Sequence, residues 1–315
     1  MNQPDVITFG ETMGSIRSAG LLRLGGAMSM GIGGAESNVA IGLARLGHTV
    51  SWASRLGNDE IGQLVLRTLR AEGVDTRSVA FDGARPTGMM FIERRIAGIS
   101  RVAYYRSGSA ASALEPHDLA GVLRDGIRML HVTGITPALS ASAAATTEWA
   151  VDRAKELGAT VSFDVNFRAA LWGRAAAAEV LGRLARKATV VFASDDELAL
   201  VADGETERDA AQSLLEAGVA EVVVKRGGDG AIAWAGTDGI AVPARAVTVV
   251  DTIGAGDAFT AGYLSARLDG DDIAARLDRG AILGAFAVSA AGDWEALPRR
   301  DELGLLGYGH GATIR

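Results

Sequence analysis

Short apolar runs alternate along the chain with longer segments in which apolar residues recur at helical spacing. The runs are typical of buried strands, and the spaced pattern is typical of amphipathic helices. Strands are predicted at 6–9, 49–54, 128–133, 159–164, 189–193 and 221–225. Helices are predicted at 35–46, 60–72, 140–157, 174–187, 207–217, 254–268 and 271–291. This alternation predicts an α/β fold with a mostly parallel central sheet and helices on both of its faces.

Two segments interrupt the alternation. Residues 11–32 are rich in Gly, Met and Leu without helical spacing. Residues 78–106 contain two β-rich runs, Thr87–Arg95 and Arg101–Arg106, joined by a turn at Ala97-Gly98. Such runs predict small β excursions from the main sheet. Two further features are a predicted hairpin around 231–249 and a glycine-rich end, 304–315, predicted to be a loose tail.

Composition limits the class of protein. Hydrophobic residues make up 48% and charged residues 22% of the 315, which predicts a globular chain of one large α/β domain or two small ones. The net charge of −7 disfavours nucleic acid as a partner. The absence of cysteine excludes disulfides and suits the cytoplasm. The first residues lack signal-peptide features, and the longest uncharged apolar stretch, 281–292, is shorter than the roughly 18 residues of a bilayer span. We therefore expect a soluble protein without a membrane partner.

Residues 251–259, Asp-Thr-Ile-Gly-Ala-Gly-Asp-Ala-Phe, carry the most chemistry. They follow a strand-like run at 246–250 and precede a helix, so their backbone N–H groups would lie at a helix N-terminus, which favours an anion such as phosphate. Gly254 and Gly256 allow close approach to the backbone. Asp257 could take a proton from a hydroxyl that attacks a phosphoryl group, or it could simply cap the helix. These nine residues alone leave the two interpretations nearly even.

A second glycine-containing stretch lies at 32–40, Ile-Gly-Gly-Ala-Glu-Ser-Asn-Val-Ala, and leads into the predicted helix that ends before Gly47. Gly33 and Gly34 again leave the backbone open, and Asn38 offers both a donor and an acceptor. In this order, the two stretches resemble the paired signatures of the PfkB, or ribokinase-like, carbohydrate kinases.

The resemblance implies a ribokinase-like three-layer fold with a single kinase domain over the whole chain. Segments 11–32 and 78–106 would then form a small β lid over a sugar site. It also implies that ATP and Mg²⁺ are used, that Asp257 is the base for a terminal hydroxyl, and that Gly254, Ala255 and Gly256 stabilise the transferring phosphoryl group. Because unpaired lid edges need cover, we expect a homo-oligomer formed through the lid.

Two strand ends carry polar groups that could bind a substrate. Alternation in a strand would put Tyr104 and Arg106 on one face, and would place Asp164, Asn166 and Arg168 on one side of another strand end. A cation beside an aromatic hydroxyl suits a carboxylate or a polyol. The alternatives are a tyrosine pair packing a hairpin beside a solvated arginine, and a strand end held by a salt bridge.

Within the family, four segments resemble the kinases of acidic six-carbon sugars such as 2-keto-3-deoxygluconate. These segments lie at 104–110, 134–140, 164–172 and 292–298. The resemblance implies a sugar-acid site in which two arginines, Arg106 and Arg168, lie near the substrate carboxylate. The implied substrate contacts are Gly34, Asn38, Tyr104, Arg106, Arg168 and Asp293.

The family resemblance also implies that ATP binds near the end of the predicted strand at 221–225. Lys225, Gly227 and Gly230 match the family's glycine turn beside ATP, and Asn166 and Ser194 are further candidates for this side. Where the wider family has Asn-x-x-Glu, Ser194 replaces the Asn and Glu197 matches the Glu, whose influence on magnesium would be indirect. Held mainly by phosphates and water, Mg²⁺ would need no protein cage.

Met90 differs from the pattern of the sugar-acid kinases, so the identity of the substrate is not fixed by the resemblance. The sugar-acid kinases tend to carry a tyrosine near this position, and methionine cannot replace its hydrogen bond. A kinase of a neutral sugar or nucleoside therefore remains an alternative, and a non-catalytic sugar sensor is another. The lack of a Gly-Lys pair excludes a Walker loop, and no Gly-x-Ser-x-Gly elbow or complete dinucleotide fingerprint is present.

Overall fold

The computed structural model describes residues 3–96 and 99–308. The strands are β1 (Val6–Phe9), β2 (Met13–Ser18), β3 (Met28–Gly33), β4 (Val50–Gly57), β5 (Val79–Asp82), β6 (Met89–Ile96), β7 (Ile99–Tyr105), β8 (Met129–Thr133), β9 (Thr160–Asp164), β10 (Val190–Ser194), β11 (Glu221–Lys225), β12 (Ala231–Trp234) and β13 (Gly239–Val242). The helices are α1 (Ala35–Arg45), α2 (Glu60–Ala71), α3 (Pro116–Ala120), α4 (Ala141–Glu156), α5 (Arg174–Lys187), α6 (Asp195–Val201), α7 (Glu207–Glu216), α8 (Ala255–Asp269) and α9 (Ile273–Val288).

A nine-stranded sheet forms the centre, in the order β13-β12-β11-β10-β9-β8-β1-β4-β5. Its strands run parallel from β5 to β11, and β12 and β13 are antiparallel. Helices cover both faces. Residues of α1, α2, α8 and α9 pack into one buried cluster, and residues of α3 to α7 pack into the other. The predicted fold class is confirmed. Strands buried on both sides need apolar residues throughout, as in the Val222–Val224 run of β11.

A second, four-stranded sheet in the order β3-β2-β6-β7 is built from the two interrupting segments, and we call it the lid. Its own apolar cluster contains Met13, Met90 and Ile92, with Val102 and Ile253 packed against it. The second lid segment starts later than predicted. Strand β5, which begins at Val79, belongs to the main sheet and not to the lid, since it pairs in parallel with β4. The predicted turn at 97–98 lies outside the described residues.

Two local predictions differ from the structure. Residues 246–250 do not form a strand, and Val249 is 60% exposed, because this apolar segment borders a cavity instead of pairing with the sheet. The predicted tail, 304–315, overlaps a 3-10 helix, Arg300–Gly307, in which Glu302 Oε2 accepts from Arg299 N at 2.7 Å and Leu303 packs against the core. Residues 309–315 lie outside the described part. Within that part, no helix combines the length and the apolar character that crossing a membrane requires.

Candidate active site

The turn at 251–257 links an irregular segment to helix α8. Gly254 is its N-cap residue and adopts φ 78°, a left-handed conformation that side chains other than glycine rarely take. A Cβ atom at Gly254 would also collide with the backbone carbonyl of Asp293. Glycine is therefore required here on two grounds. Helix α8 then starts at Ala255, and Asp257 lies in its first turn.

Two cavities meet at this turn. The larger, of about 550 Å³, is lined by residues that include Lys225, Gly227, Gly230, Ala255 and Gly256. The smaller, of about 80 Å³, lies under the lid. Its lining includes Gly34, Asn38, Tyr104, Arg106, Arg168, Gly254, Asp257 and Asp293. Lys225, Gly227 and Gly230 thus line one space and the predicted substrate residues line its neighbour, with Asp257 on the lid side. Asn166 and Ser194, the other two candidates for the nucleotide side, line neither cavity.

Asp257 is held by two amides. Asn38 Nδ2 donates to its Oδ2 at 2.8 Å, and Asn166 Nδ2 donates to its Oδ1 at 3.4 Å. Burial raises the pKa of Asp257 to about 7, with the charge of Asp164 acting in the same direction. The bond from Asn38 and the charges of Lys225 and Arg168 oppose this rise in the pKa. A carboxyl group of this kind exchanges its proton near neutral pH, as a general base requires.

The end of β9 differs from the predicted alternation. The strand stops at Asp164, and Asn166 takes φ 40°, which turns the chain before Arg168. Asp164 accepts from Lys225 Nζ at 2.6 Å and from Thr260 Oγ1 at 3.1 Å, so the salt-bridge alternative is correct for Asp164. Burial alone would lower the pKa of Lys225, but Asp164 and Glu197 raise it and keep the amine charged.

Arg106 has a partner within the protein. Its Nη2 lies 2.5 Å from Glu11 Oε2, and the two side chains are only 8% and 1% exposed. The guanidinium also lies 5.7 Å from the centre of the Tyr104 ring, in a cation–π contact. Glu11 therefore compensates much of the Arg106 charge. Arg168 lines the same cavity from an exposed position and donates to the Phe167 carbonyl at 3.2 Å.

Arg17 is a site residue that the sequence interpretation missed. From lid strand β2 it donates through Nη1 to Asp251 Oδ2 at 2.5 Å and through Nη2 to Asp293 Oδ1. Burial raises the pKa of Asp293 to about 6, although Arg17 acts to lower it. The only sequence signal was a lone cation within a lid strand, and its two partners lie more than two hundred residues away along the chain.

Glu197 links the segment after β9 to the end of β10. Its Oε1 accepts from Phe167 N and its Oε2 from Ser194 N, each at 2.8 Å, and Ser194 caps helix α6. Both carboxylate oxygens are therefore already bonded to the backbone, and direct metal ligation would compete with these bonds. Within residues 3–96 and 99–308, no group of three or more acidic, His or Cys side chains could hold a metal ion.

The remaining candidates fall on both sides of the turn. Gly227 and Gly230 form the tight β11–β12 connection, in which Arg226 N donates to Gly230 O at 2.8 Å. Asn166 contacts Asp257 and so lies closer to the base than to the larger cavity. Met90 is 4% exposed and fills the lid cluster while lining the smaller cavity.

A glycine turn at the start of a helix, between two cavities and beside a carboxylate of near-neutral pKa, is the arrangement that an enzyme of the phosphoryl-transfer class on a parallel α/β sheet requires. Residues 3–300 match the model described as pfkB family carbohydrate kinase, and the chain belongs to this family.

Two curated relatives and one solved structure are notably similar. The 2-dehydro-3-deoxygluconokinase of Bacillus subtilis (strain 168) is 38% identical over 95% of this chain and 94% of its own. The 2-dehydro-3-deoxygalactonokinase of Haloferax volcanii is 33% identical over 92% of each chain. A putative ribokinase II from E. coli, solved in complex with ATP and Mg²⁺, superposes with a TM-score of 0.90 at 26% identity and covers 97% of this chain and 99% of that one.

Proposed function

We propose that this chain, acting as a single kinase domain, transfers the γ-phosphoryl group of ATP to the terminal hydroxyl of 2-dehydro-3-deoxygluconate (2-keto-3-deoxygluconate). The product would be the 6-phosphate. The observation that carries the proposal is the position of Asp257, on the lid side of the glycine turn before α8, which borders the larger cavity on its other side. The similarity to relatives named for 2-dehydro-3-deoxy sugar acids supports this substrate class.

In this mechanism Asp257 accepts the proton of the sugar hydroxyl as its oxygen forms a bond to the γ-phosphorus and the bond to the β-phosphate oxygen breaks. Asn38 and Asn166 orient the carboxylate through their amide donors. The N–H groups of Gly254, Ala255 and Gly256, at the start of α8, stabilise the charge on the transferring group. The proton leaves on Asp257, and ADP carries the leaving oxygen.

The sugar acid would lie in the smaller cavity, in contact with Gly34, Asn38, Tyr104, Arg106, Arg168 and Asp293. Arg168 is the main candidate for its carboxylate. Arg106 is the weaker one, because Glu11 already accompanies its guanidinium. Tyr104, 40% exposed, keeps its hydroxyl available for a polyol.

The nucleotide would lie in the larger cavity, whose lining is mostly apolar, with Lys225, Gly227 and Gly230 near its phosphates. Mg²⁺ would enter as a complex with ATP and supply positive charge to the phosphates, because the described residues form no cage for it. Ser194 and Glu197 would act indirectly, by fixing the segment after β9 against the end of β10.

A neutral sugar or nucleoside is the second candidate for the acceptor. The pairing of Arg106 with Glu11 favours it, since this pair leaves fewer uncompensated cations for a substrate carboxylate. The buried methionine at position 90, where tyrosine is typical of the sugar-acid branch, points in the same direction.

ADP release with Mg-ATP over a substrate panel tests both candidates. The panel contains 2-keto-3-deoxygluconate, 2-keto-3-deoxygalactonate, 2-ketogluconate, gluconate, fructose, ribose and adenosine. A kcat/KM preference for the keto-deoxy acids supports the sugar-acid kinase. A preference for fructose, ribose or adenosine replaces it with the second candidate. Turnover of none of them would favour a non-catalytic sugar sensor.

Two further proposals concern the oligomeric state and the cellular location. We infer a homo-oligomer formed through the lid, because β3 is an edge strand of the lid sheet that exposes Met28 (46%) and Met30 (52%). Light scattering of the intact chain and of Met30→Lys tests it, and an unchanged mass in the variant would contradict it. A cytoplasmic location suits a chain without cysteine, and cell fractionation tests that location.

A further inference from the structure

Arg17 connects two parts of the molecule that the chain itself connects only distantly. It lies on β2, an inner strand of the lid, where it is in register with Ser29 of β3 and Ile92 of β6. Its guanidinium leaves the lid and bonds Asp251 and Asp293, both of which belong to the body of the kinase. The Arg17 side chain is 18% exposed and its partners are 4% and 5% exposed, so water screens these ion pairs little.

Asp251 and Asp293, the two partners of Arg17, both contact the turn at 251–257, which we call the catalytic turn. Asp251 is its first residue, and Asp251 Oδ1 accepts from Ile253 N at 3.2 Å while Oδ2 accepts from Arg17. Asp293 presses its backbone carbonyl against Gly254, in the space that a Cβ would occupy. One guanidinium therefore holds both supports of the segment that carries Asp257.

A second contact between the lid and the turn is independent of charge. Ile253, in the middle of the turn, packs against the lid cluster of Met13, Met90 and Ile92. The turn is thus part of the lid's small apolar core as well as a partner of its arginine. Displacement of the lid would expose Ile253 and separate Arg17 from its carboxylates at the same time.

We propose that Arg17 is a positioning residue that joins the lid to the catalytic turn, so that the lid cannot leave the sugar site without releasing the turn. Two buried carboxylates share this one guanidinium, and its removal leaves them facing each other without compensation. In support, burial raises the pKa of Asp293 to about 6, and the charges of Glu295 and Asp251 act in the same direction. The turn depends on a lid residue for its charge balance.

Hydrogen–deuterium exchange on the ligand-free chain tests the connection without reference to any substrate. Arg17→Met should speed exchange about ten-fold both in lid strands 13–18 and 28–33 and in the peptide 251–259. Arg17→Lys, which can reach only one carboxylate, should give a smaller change. Arg101→Met, the same substitution on an exposed position of lid strand β7, should change neither segment. Unaltered exchange at 251–259 in folded Arg17→Met would overturn the proposal.

A second variant guards against a simple folding defect. Asp251→Asn leaves every lid side chain in place, and it should speed exchange at 251–259 as Arg17→Met does. The double variant should add little to either single change, since both break one link. Fully additive effects would show two separate contacts and would overturn the proposal.

Kinetics supply a readout that a purely structural role would not move, and this arm rests on the proposed function. With 2-keto-3-deoxygluconate, Arg17→Met should raise the sugar KM and lower kcat, for a loss in kcat/KM of about a hundred-fold, while the dissociation constant for ADP without sugar stays within about two-fold of the wild-type value. Equal weakening of ADP and sugar binding would contradict the role. If the wild-type chain turns over another panel sugar instead, the same comparison is made with that sugar.

Discussion

Asn38 Nδ2 donates a hydrogen bond of 2.8 Å to Asp257 Oδ2 across 219 residues of sequence. The bond joins the first helix of the chain to the helix that carries the proposed base. It also opposes the effect of burial on the pKa of Asp257. The Asn38 amide thereby limits the rise in the pKa of Asp257 to about 7, so that the carboxyl group can take up and release a proton at physiological pH.

Replacement of the base should separate binding from chemistry. Asp257→Asn keeps the shape of the side chain but cannot accept the hydroxyl proton, so kcat should fall by about 10²–10⁴ while the sugar dissociation constant changes little. Steady-state ADP release and calorimetric sugar binding measure the two quantities. Asp125→Asn, on an exposed position, is the control. Near-normal turnover in Asp257→Asn would refute the mechanism.

The pH profile should respond to Asn38. Because Asp257 must be deprotonated to act, kcat should fall as the pH drops through about 7. Asn38→Ala removes a bond that lowers the pKa of Asp257, so the acidic limb of the profile should move to higher pH. The measurement is kcat against pH at saturating sugar for both proteins. An unmoved or lowered limb in the variant would contradict this assignment.

Asp257 should cost stability when it is charged. Because its pKa is raised from 3.8 to about 7 in the folded chain, its contribution to stability is greatest below pH 4 and is lost as the pH rises through about 7. Asp257→Asn should therefore exceed the wild-type free energy of unfolding by about 1–3 kcal/mol at pH 8, with the difference vanishing near pH 4. Urea titrations at the two pH values test this. A variant less stable at pH 8 would oppose it.

Two glycines of the turn should respond differently to alanine. Gly254→Ala forces a side chain onto φ 78° and into the Asp293 carbonyl, so we expect loss of both stability and turnover. Gly256→Ala is its matched control, because a Cβ there lies 3.4 Å from the flexible end of Lys225. This variant should fold normally and lose turnover mainly through blocked phosphate approach. Thermal unfolding and ADP release separate the two effects, and equal melting temperatures would contradict the strain argument.

The two arginines of the substrate site should also differ. Arg168→Ala should raise KM for an acidic sugar far more than for a neutral one, with little change in stability, since its side chain is exposed. Arg106→Ala leaves Glu11 buried without its partner, so it should cost about 3–5 kcal/mol of stability. Chemical unfolding and KM for both sugar types test this. Equal KM changes for acidic and neutral sugars in Arg168→Ala would remove Arg168 from the carboxylate site.

Much of this protein could be predicted from local sequence. The order of the longer helices and of most strands, the sheet class and the glycine turn before Asp257 all depend on features within a few residues, whereas the short helices α3 and α6 were not predicted. Apolar spacing identifies α1 and β11. The Gly-Ala-Gly-Asp sequence identifies the turn, because its glycines allow backbone conformations and close approaches that other residues do not. The family signatures also identified Asn38 and Asp257 as site candidates, and the structure brings these two side chains together.

Only the tertiary structure decided which charges compensate one another. Arg106 pairs with Glu11, Asp164 with Lys225, and Arg17 with two carboxylates near the other end of the chain, although spacing along the sequence links none of these groups. The apolar run at 246–250 has the local pattern of a strand, yet it borders a cavity. The edge of the main sheet is formed by the antiparallel strands β12 and β13, and 246–250 does not pair with them. Apolar periodicity is set by the neighbouring residues on one element, whereas an ion pair depends on where two distant elements meet in space.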